Sequence, residues 1–390
     1  MADNHHLSFI DQELQTRKDH HQLRTIKNME PLDGPWVRLN NRRMLNFSSN
    51  DYLGLARHPL LRERAIEWME RLGAGATASR LVCGSHGDLA GLEEKIASLK
   101  SSEAALVFNS GFQANVSYLP ALTDRHSLIV ADRLSHNSLI QGSLLSRCKF
   151  LRFRHNDLVH LDKILKQSQV ENYSRIIIVT ESVFSMDGDR ADIAGIKRLA
   201  DKYGCLLVVD EAHATGVFGK KGMGLCNGSQ ADLILGTFGK GCGAFGAYIA
   251  CSEKMRQYLI NCCTGLIYST GLPPQVLGAI DGALELLPAM LKERERLQEM
   301  SISFRDKVHD LGFDTGCSDS QIIPLIVGPE EEALALSKWF DDHDIYAMAI
   351  RPPTVEKGRA RIRLALSVLH SQEEINRLLD VLGQWQQRHE

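Results

Sequence analysis

Between about residue 100 and residue 285 the chain repeats one pattern. A short apolar run is followed each time by a longer segment with helical spacing, and the runs fall at 104–108, 127–131, 175–180, 206–210, 233–236 and 247–251. Short β-rich runs alternating with helical stretches predict α/β units on a mostly parallel sheet. After Pro273-Pro274 the pattern changes. A long helical stretch over 289–313 leads to strand-like segments at 321–327, 346–350 and 359–366, and 371–387 reads as a closing helix. The segment before the repeat begins with a polar amphipathic helix to about Lys27 and continues as a short strand or hairpin through "DGPWVRLNNRRMLNF". The expected organisation is an N-terminal helix and strand segment (1–45), a large domain (46–285) and a smaller C-terminal α+β domain (286–390).

Composition narrows the function classes. Lys+Arg 45 against Asp+Glu 48 gives a net charge of −3, which offers no reason to expect a nucleic acid or an anionic membrane as partner. The N-terminal residues are polar and charged, unlike a signal peptide, and runs such as 176–179 are far shorter than a membrane span. Nine cysteines are scattered without a C-x-x-C pair, and Cys262 and Cys263 are adjacent. That usage suits reduced thiols in a cytoplasmic protein with no metal site.

The run "LLVVDEAHATG", 206–216, ends a strand in Asp210 and raises a choice. A DEAH-type ATP-driven motor would use such an Asp for Mg²⁺. It would also need an upstream G-x-x-x-x-G-K-[ST] loop, and here Gly219-Lys220 and Gly239-Lys240 both follow Asp210 and lack the Ser or Thr. A second choice comes from the next strand, whose end carries Thr237 and Lys240 within "GTFGKGCG". Ligands of open α/β sheets bind at the carboxyl ends of strands. A Lys there, beside a carboxylate and out of water, is suited to a Schiff base, because desolvation lowers its pKa. The cofactor this suggests is pyridoxal phosphate, with Asp210 protonating the pyridine nitrogen. Each piece alone has a bland alternative: an Asp ending a strand is usually a turn residue, and glycine-flanked lysines are common.

Other strand ends add to the set. "NSGFQAN" places Gly111 and Phe112 at a helix start, where backbone amides form an anion site. "DRLSHNSL" places His136 after a strand, as a flat ring able to stack on a cofactor or as a structural His. "TESVFSMDGD" carries Glu181 and Ser185, and His213 stands three residues after Asp210.

With "NFSSNDYLGL", "TFGKG" and "IYSTGLPP", these segments occur in an order that resembles the α-oxoamine synthases, a family of fold-type I pyridoxal-phosphate enzymes, over residues 45–370. The resemblance implies a homodimeric acyltransferase that condenses an amino acid with an acyl thioester and releases CO₂. It implies Lys240 as the Schiff-base lysine, Asp210 as the pyridinium partner, and His136 stacked on the ring. Ser185 and His213 lie where the family contacts the ring hydroxyl, Gly111, Phe112 and Thr237 where it contacts the phosphate, and Thr270 where it reaches the partner subunit's phosphate. Arg351 and Asn50 match the amino-acid carboxylate site, and Arg24, His136 and Thr354 match further substrate positions. "AIRPPTVEKGRARIRL" resembles the branch that joins L-alanine to a pimeloyl thioester in biotin synthesis, carried by CoA or by an acyl carrier protein. The alternatives are the glycine-using branch acting with acetyl-CoA and an aminotransferase. Glu356, Met223 and Cys242 depart from the family pattern and bear on the shape of the acyl channel.

Overall fold

The computed structural model describes residues 5–388. The chain divides into a larger unit, 50–185 with 189–298, and a smaller one built from the residues up to 49, 186–188 and 299 onward.

The larger unit is organised on a seven-stranded sheet. Its strands are β1 (Ala104–Phe108), β2 (Leu128–Asp132), β3 (Lys149–Phe153), β4 (Ile176–Glu181), β5 (Leu206–Asp210), β6 (Leu233–Thr237) and β7 (Ala247–Cys251), in the spatial order β1-β7-β6-β5-β4-β2-β3. Every pairing is parallel except those of β7, which runs antiparallel to β1 and β6. Six of the seven match the apolar runs. The seventh, β3, went unread because "KFLRF" is mixed in polarity; it lies at the sheet edge and leaves most of its side chains partly exposed. The central strands are buried on both faces, which is why they read as unbroken apolar runs. Burying each such aliphatic side chain is worth about 1.5–3 kcal/mol.

Polarity returns where the strands end. Asp132, Thr180, Glu181, Asp210 and Thr237 are buried at the carboxyl ends of β2, β4, β5 and β6. The helices that follow begin on side-chain caps. Ser110 accepts the Gln113 N–H at 3.1 Å ahead of α1 (Gly111–Leu122), and His136 Nδ1 accepts the Ser138 N–H at 3.2 Å ahead of α2 (Asn137–Leu145).

In the smaller unit the hairpin of Trp36–Leu39 and Arg42–Asn46 turns through Asn40 and Asn41, both at positive φ (50° and 62°), the signature of a type I′ turn. Met29–Pro31 and Ile345–Tyr346 complete its sheet. A second sheet holds Ile322–Gly328, Ala360–Ala365 and Met348–Ile350, flanked by helices Glu330–Asp342 and Gln372–Gln387, the latter begun by a Ser371/Glu374 capping box. The N-terminal helix, expected to run to Lys27, spans Ser8–Asp19 and stops before His21, whose φ is 54°. No residue of it is buried, so it lacks the packed face from which most helices draw their stability.

Candidate active site

β4 and β5 are paired so that Glu181 stands directly beside Asp210. Asp210 is 4% exposed. Its Oδ1 accepts the Ala212 N–H at 2.9 Å, and its Oδ2 accepts Asn115 Nδ2 of α1 at 2.8 Å. Asn115 Nδ2 also donates to Ser138 Oγ of α2 at 2.9 Å, and that hydroxyl lies 2.7 Å from His136 Nδ1. The end of β5 and two helices, α1 and α2, thus meet in one hydrogen-bonded chain, from Asp210 to His136.

Across the same end of the sheet, Lys240 follows β6 in a turn closed by the Gly243 N–H on the Lys240 carbonyl at 2.9 Å. Its Nζ lies 2.7 Å from His213 Nε2, and His213 Nδ1 lies 2.7 Å from the Tyr52 hydroxyl, which donates to Asn50 Oδ1 at 3.0 Å. Two glycines make this approach possible. A Cβ at Gly216 (φ +92°) would stand 2.7 Å from the Gly241 carbonyl carbon, and one at Gly243 (φ +63°) would stand 2.3 Å from the Ala56 amide. The first contact joins the loop after His213 to the Lys240 turn, and the second joins that turn to the loop bearing Tyr52. Thr237 Oγ1 donates to the Gly246 carbonyl at 2.9 Å and accepts the Gly239 N–H at 3.2 Å, bracing the turn from below.

Electrostatics follow from burial. Withdrawal from water and then the neighbouring Asp210 carboxylate push the Glu181 carboxyl well above the usual range, against the pull of Lys240. Glu181 Oε1 accepts the His136 N–H at 2.5 Å and so fixes the start of α2. The His136 ring is exposed, yet the protein around it removes enough water to lower its pKa, with Asp210 opposing and Lys240 adding to the shift. A ring that is open and neutral is what a flat stacking partner requires.

The remaining expected residues divide by unit. Gly111 opens α1 and Phe112 follows it with its side chain exposed, so the first N–H groups of α1 point beyond the helix end. Ser185 is buried in the bend after β4. Thr270 has an exposed side chain, and its carbonyl accepts Asn109 Nδ2 at 2.8 Å. In the smaller unit, Arg24 donates to Thr354 Oγ1 at 3.1 Å, and Arg351 bonds the His21 carbonyl. These three polar side chains therefore share one stretch of that unit.

The residues of the larger unit fit pyridoxal phosphate by their chemistry: a buried carboxylate for a pyridinium nitrogen, a lysine amine, an open imidazole, and a helix N-terminus for the phosphate. Three further groups were not read as site residues. Tyr52 and Asn115 are brought to the site by contacts 161 and 95 residues away in sequence, which no local pattern announces. Lys100 and Glu211 form a fully buried ion pair behind Asp210; Lys100 Nζ also donates to the carbonyls of Met223 (2.7 Å) and Cys226 (2.6 Å). The adjacency of Glu211 to Asp210 was the one available signal.

The family model for class I and II aminotransferases matches residues 42–382. A putative 8-amino-7-oxononanoate synthase of Desulfosudis oleivorans is 53% identical over 97% of this chain and 98% of its own. A structure of SPT with pyridoxal phosphate superposes with a TM-score of 0.90 at 25% identity, covering 98% of both chains. An 8-amino-7-oxononanoate synthase of Francisella tularensis superposes with a TM-score of 0.77 at 26% identity, covering 89% of this chain and 98% of that one. This chain belongs to the class I and II aminotransferase family, with the fold-type I architecture and pyridoxal phosphate as its cofactor. Within the family it is an enzyme of the α-oxoamine synthase type.

Proposed function

We propose that this chain joins L-alanine to a pimeloyl thioester, releasing CO₂, a free thiol and 8-amino-7-oxononanoate in biotin biosynthesis. The reading is carried by the Lys240–His213 contact at 2.7 Å beside buried Asp210, in a chain 53% identical to a relative named for that product. Pyridoxal phosphate, when bound, supplies an electron sink for charge developing at the amino acid's Cα.

In this proposal Lys240 would hold the cofactor, and its amine would take the proton from the amino acid's Cα. Asp210, steadied by Asn115 and the Ala212 N–H, keeps a proton on the ring nitrogen. His136 accepts the Ser138 N–H at Nδ1, which leaves the proton of its neutral ring on Nε2. That N–H is suited to polarise the thioester carbonyl. Gly111, Phe112 and Thr237 hold the phosphate, Ser185 and His213 the ring hydroxyl, and Thr270 the phosphate of a partner subunit in a homodimer. Arg351 and Asn50 hold the alanine carboxylate, a task for which a guanidinium fork is well shaped. Arg24 and Thr354 bind substrate, and the acyl group is delivered by CoA or by an acyl carrier protein in the cytoplasm.

Borohydride treatment of the loaded protein, followed by peptide mapping, should place the cofactor's mass on Lys240. Given L-alanine labelled at its carboxyl carbon, the protein should release labelled CO₂ only when pimeloyl thioester is present. Attachment at another lysine, or turnover retained in Lys240→Ala, would overturn the assignment.

A further inference from the structure

Tyr52 lies outside every role given above, yet it is fully buried and touches the site through His213. The hydrogen-bond chain Asn50–Tyr52–His213–Lys240 has fixed polarity at both ends. At one end the Tyr52 hydroxyl donates its single proton to Asn50 Oδ1, an oxygen that only accepts, at 3.0 Å. The phenolic oxygen therefore meets His213 Nδ1, 2.7 Å away, as an acceptor, and Nδ1 must carry the proton of the neutral ring. At the other end a Lys240 ammonium has three donors and no acceptor, so His213 Nε2, 2.7 Å from Nζ, must present its lone pair. Both ends require the same tautomer.

We propose that Tyr52 is a positioning residue that holds His213 in its Nδ1–H tautomer, so that Nε2 presents a lone pair to Lys240 as proton acceptor. The proton balance is simple. The N–H bond on Lys240 Nζ breaks, one forms on His213 Nε2, and the resulting imidazolium stays bound through Nδ1–H to the Tyr52 oxygen. Lys240 is left as the neutral amine, the only form able to attack a carbonyl carbon. The surroundings hold the chain in place. Asp51, next to Tyr52, accepts the Leu55 and Ala56 N–H groups at 2.8 and 3.2 Å, and Gly243 of the Lys240 turn packs on Ala56. The geometry also links a residue proposed to hold the substrate carboxylate, Asn50, to the reactive lysine through two side chains.

This inference rests on the reading of Lys240 as the cofactor-bearing lysine, but its readout is the state of one ring and needs no turnover. The experiment is ¹⁵N spectroscopy of the full-length protein labelled at its histidine rings, recorded with and without pyridoxal phosphate. The His213 signals are assigned by their disappearance in His213→Asn. Without cofactor, His213 Nδ1 should give the shift of a protonated nitrogen and Nε2 that of a nitrogen bearing a lone pair. In Tyr52→Phe the ratio of tautomers should move toward Nε2–H by about tenfold, the worth of one such bond. The apparent pH for loading the cofactor onto Lys240 should rise with it, while the melting temperature stays near wild type. An Nε2–H ring in the wild-type protein would overturn the proposal without any variant. So would a Tyr52→Phe protein with the wild-type tautomer ratio. A failure of labelled CO₂ release with intact His213 tautomerism would instead count against the proposed substrates alone.

Discussion

Lys100→Met should be among the most damaging single changes outside the residues that touch the cofactor. The Lys100 side chain has no exposure, and its three ammonium hydrogens meet the Glu211 carboxylate and the Met223 and Cys226 carbonyls. The same carboxylate accepts the Leu225 and Cys226 N–H groups at 2.6 and 2.9 Å. Methionine nearly matches the length of lysine but leaves a buried carboxylate without its cation and two carbonyls without donors. Breaking one side of a buried pair costs about 3–5 kcal/mol, about a fifth or more of a typical stability of 5–15 kcal/mol. Removing the stranded charge as well, in Lys100→Met with Glu211→Gln, should recover about 2 kcal/mol. Urea unfolding followed by circular dichroism reads both numbers through the midpoint. Because the Glu211 carbonyl accepts the Ala214 and Thr215 N–H groups, the same variant should loosen the turn bearing His213 and weaken pyridoxal-phosphate binding. A Lys100→Met midpoint equal to wild type, or a double variant no more stable than the single one, would refute the reasoning.

Two pH effects follow from histidines, one half-buried and one buried. His155 sits between Asp132 (2.9 Å) and Asp189 (2.7 Å); desolvation pulls its pKa down, but the two hydrogen-bonded carboxylates outweigh it and raise it to about 10. A folded-state pKa above the unfolded value of about 6.5 means stability fully present below pH ~6.5 and lost as pH rises through 10. The unfolding midpoint should therefore fall between pH 6.5 and 10 in the wild type and stay flatter in His155→Gln; parallel curves would refute it. In the smaller unit, burial lowers the His370 pKa to about 4. Its Nε2 faces the Asn46 carbonyl at 3.1 Å, its Nδ1 accepts the Ser367 N–H at 3.0 Å, and the ring stacks on Phe47. Charging the ring would set a proton against the Ser367 N–H. The stability it contributes is thus present above pH ~6.5 and lost as pH falls toward 4. His370→Asn should lower stability at pH 7 yet reduce its decline in acid, which urea midpoints at pH 7 and pH 4.5 would check.

The sheet was legible because its central strands are buried on both faces and so carry uninterrupted apolar runs. The edge strand Lys149–Phe153 was not, since one open side lets polar residues in. Asp210, Lys240, His136 and His213 stood out because each follows a strand end, where a parallel sheet collects its ligands. Tyr52, Asn115 and Lys100 did not: their partners are distant in sequence, and a buried Lys or Asn looks locally like any helix polar residue. Met223 and Cys242, read as departures at the acyl channel, are both buried. Met223 offers its carbonyl to Lys100, and burial raises the Cys242 thiol to about 12.

The proposed reaction stands or falls on the use of L-alanine with a pimeloyl thioester. Free-thiol release by the purified protein, supplied with pyridoxal phosphate and either L-alanine with pimeloyl-CoA or glycine with acetyl-CoA, tests it most directly. Release is expected with the first pair alone. Release with the second pair alone would contradict it, leaving the cofactor and Lys240 in place and assigning the chain to the glycine-using branch.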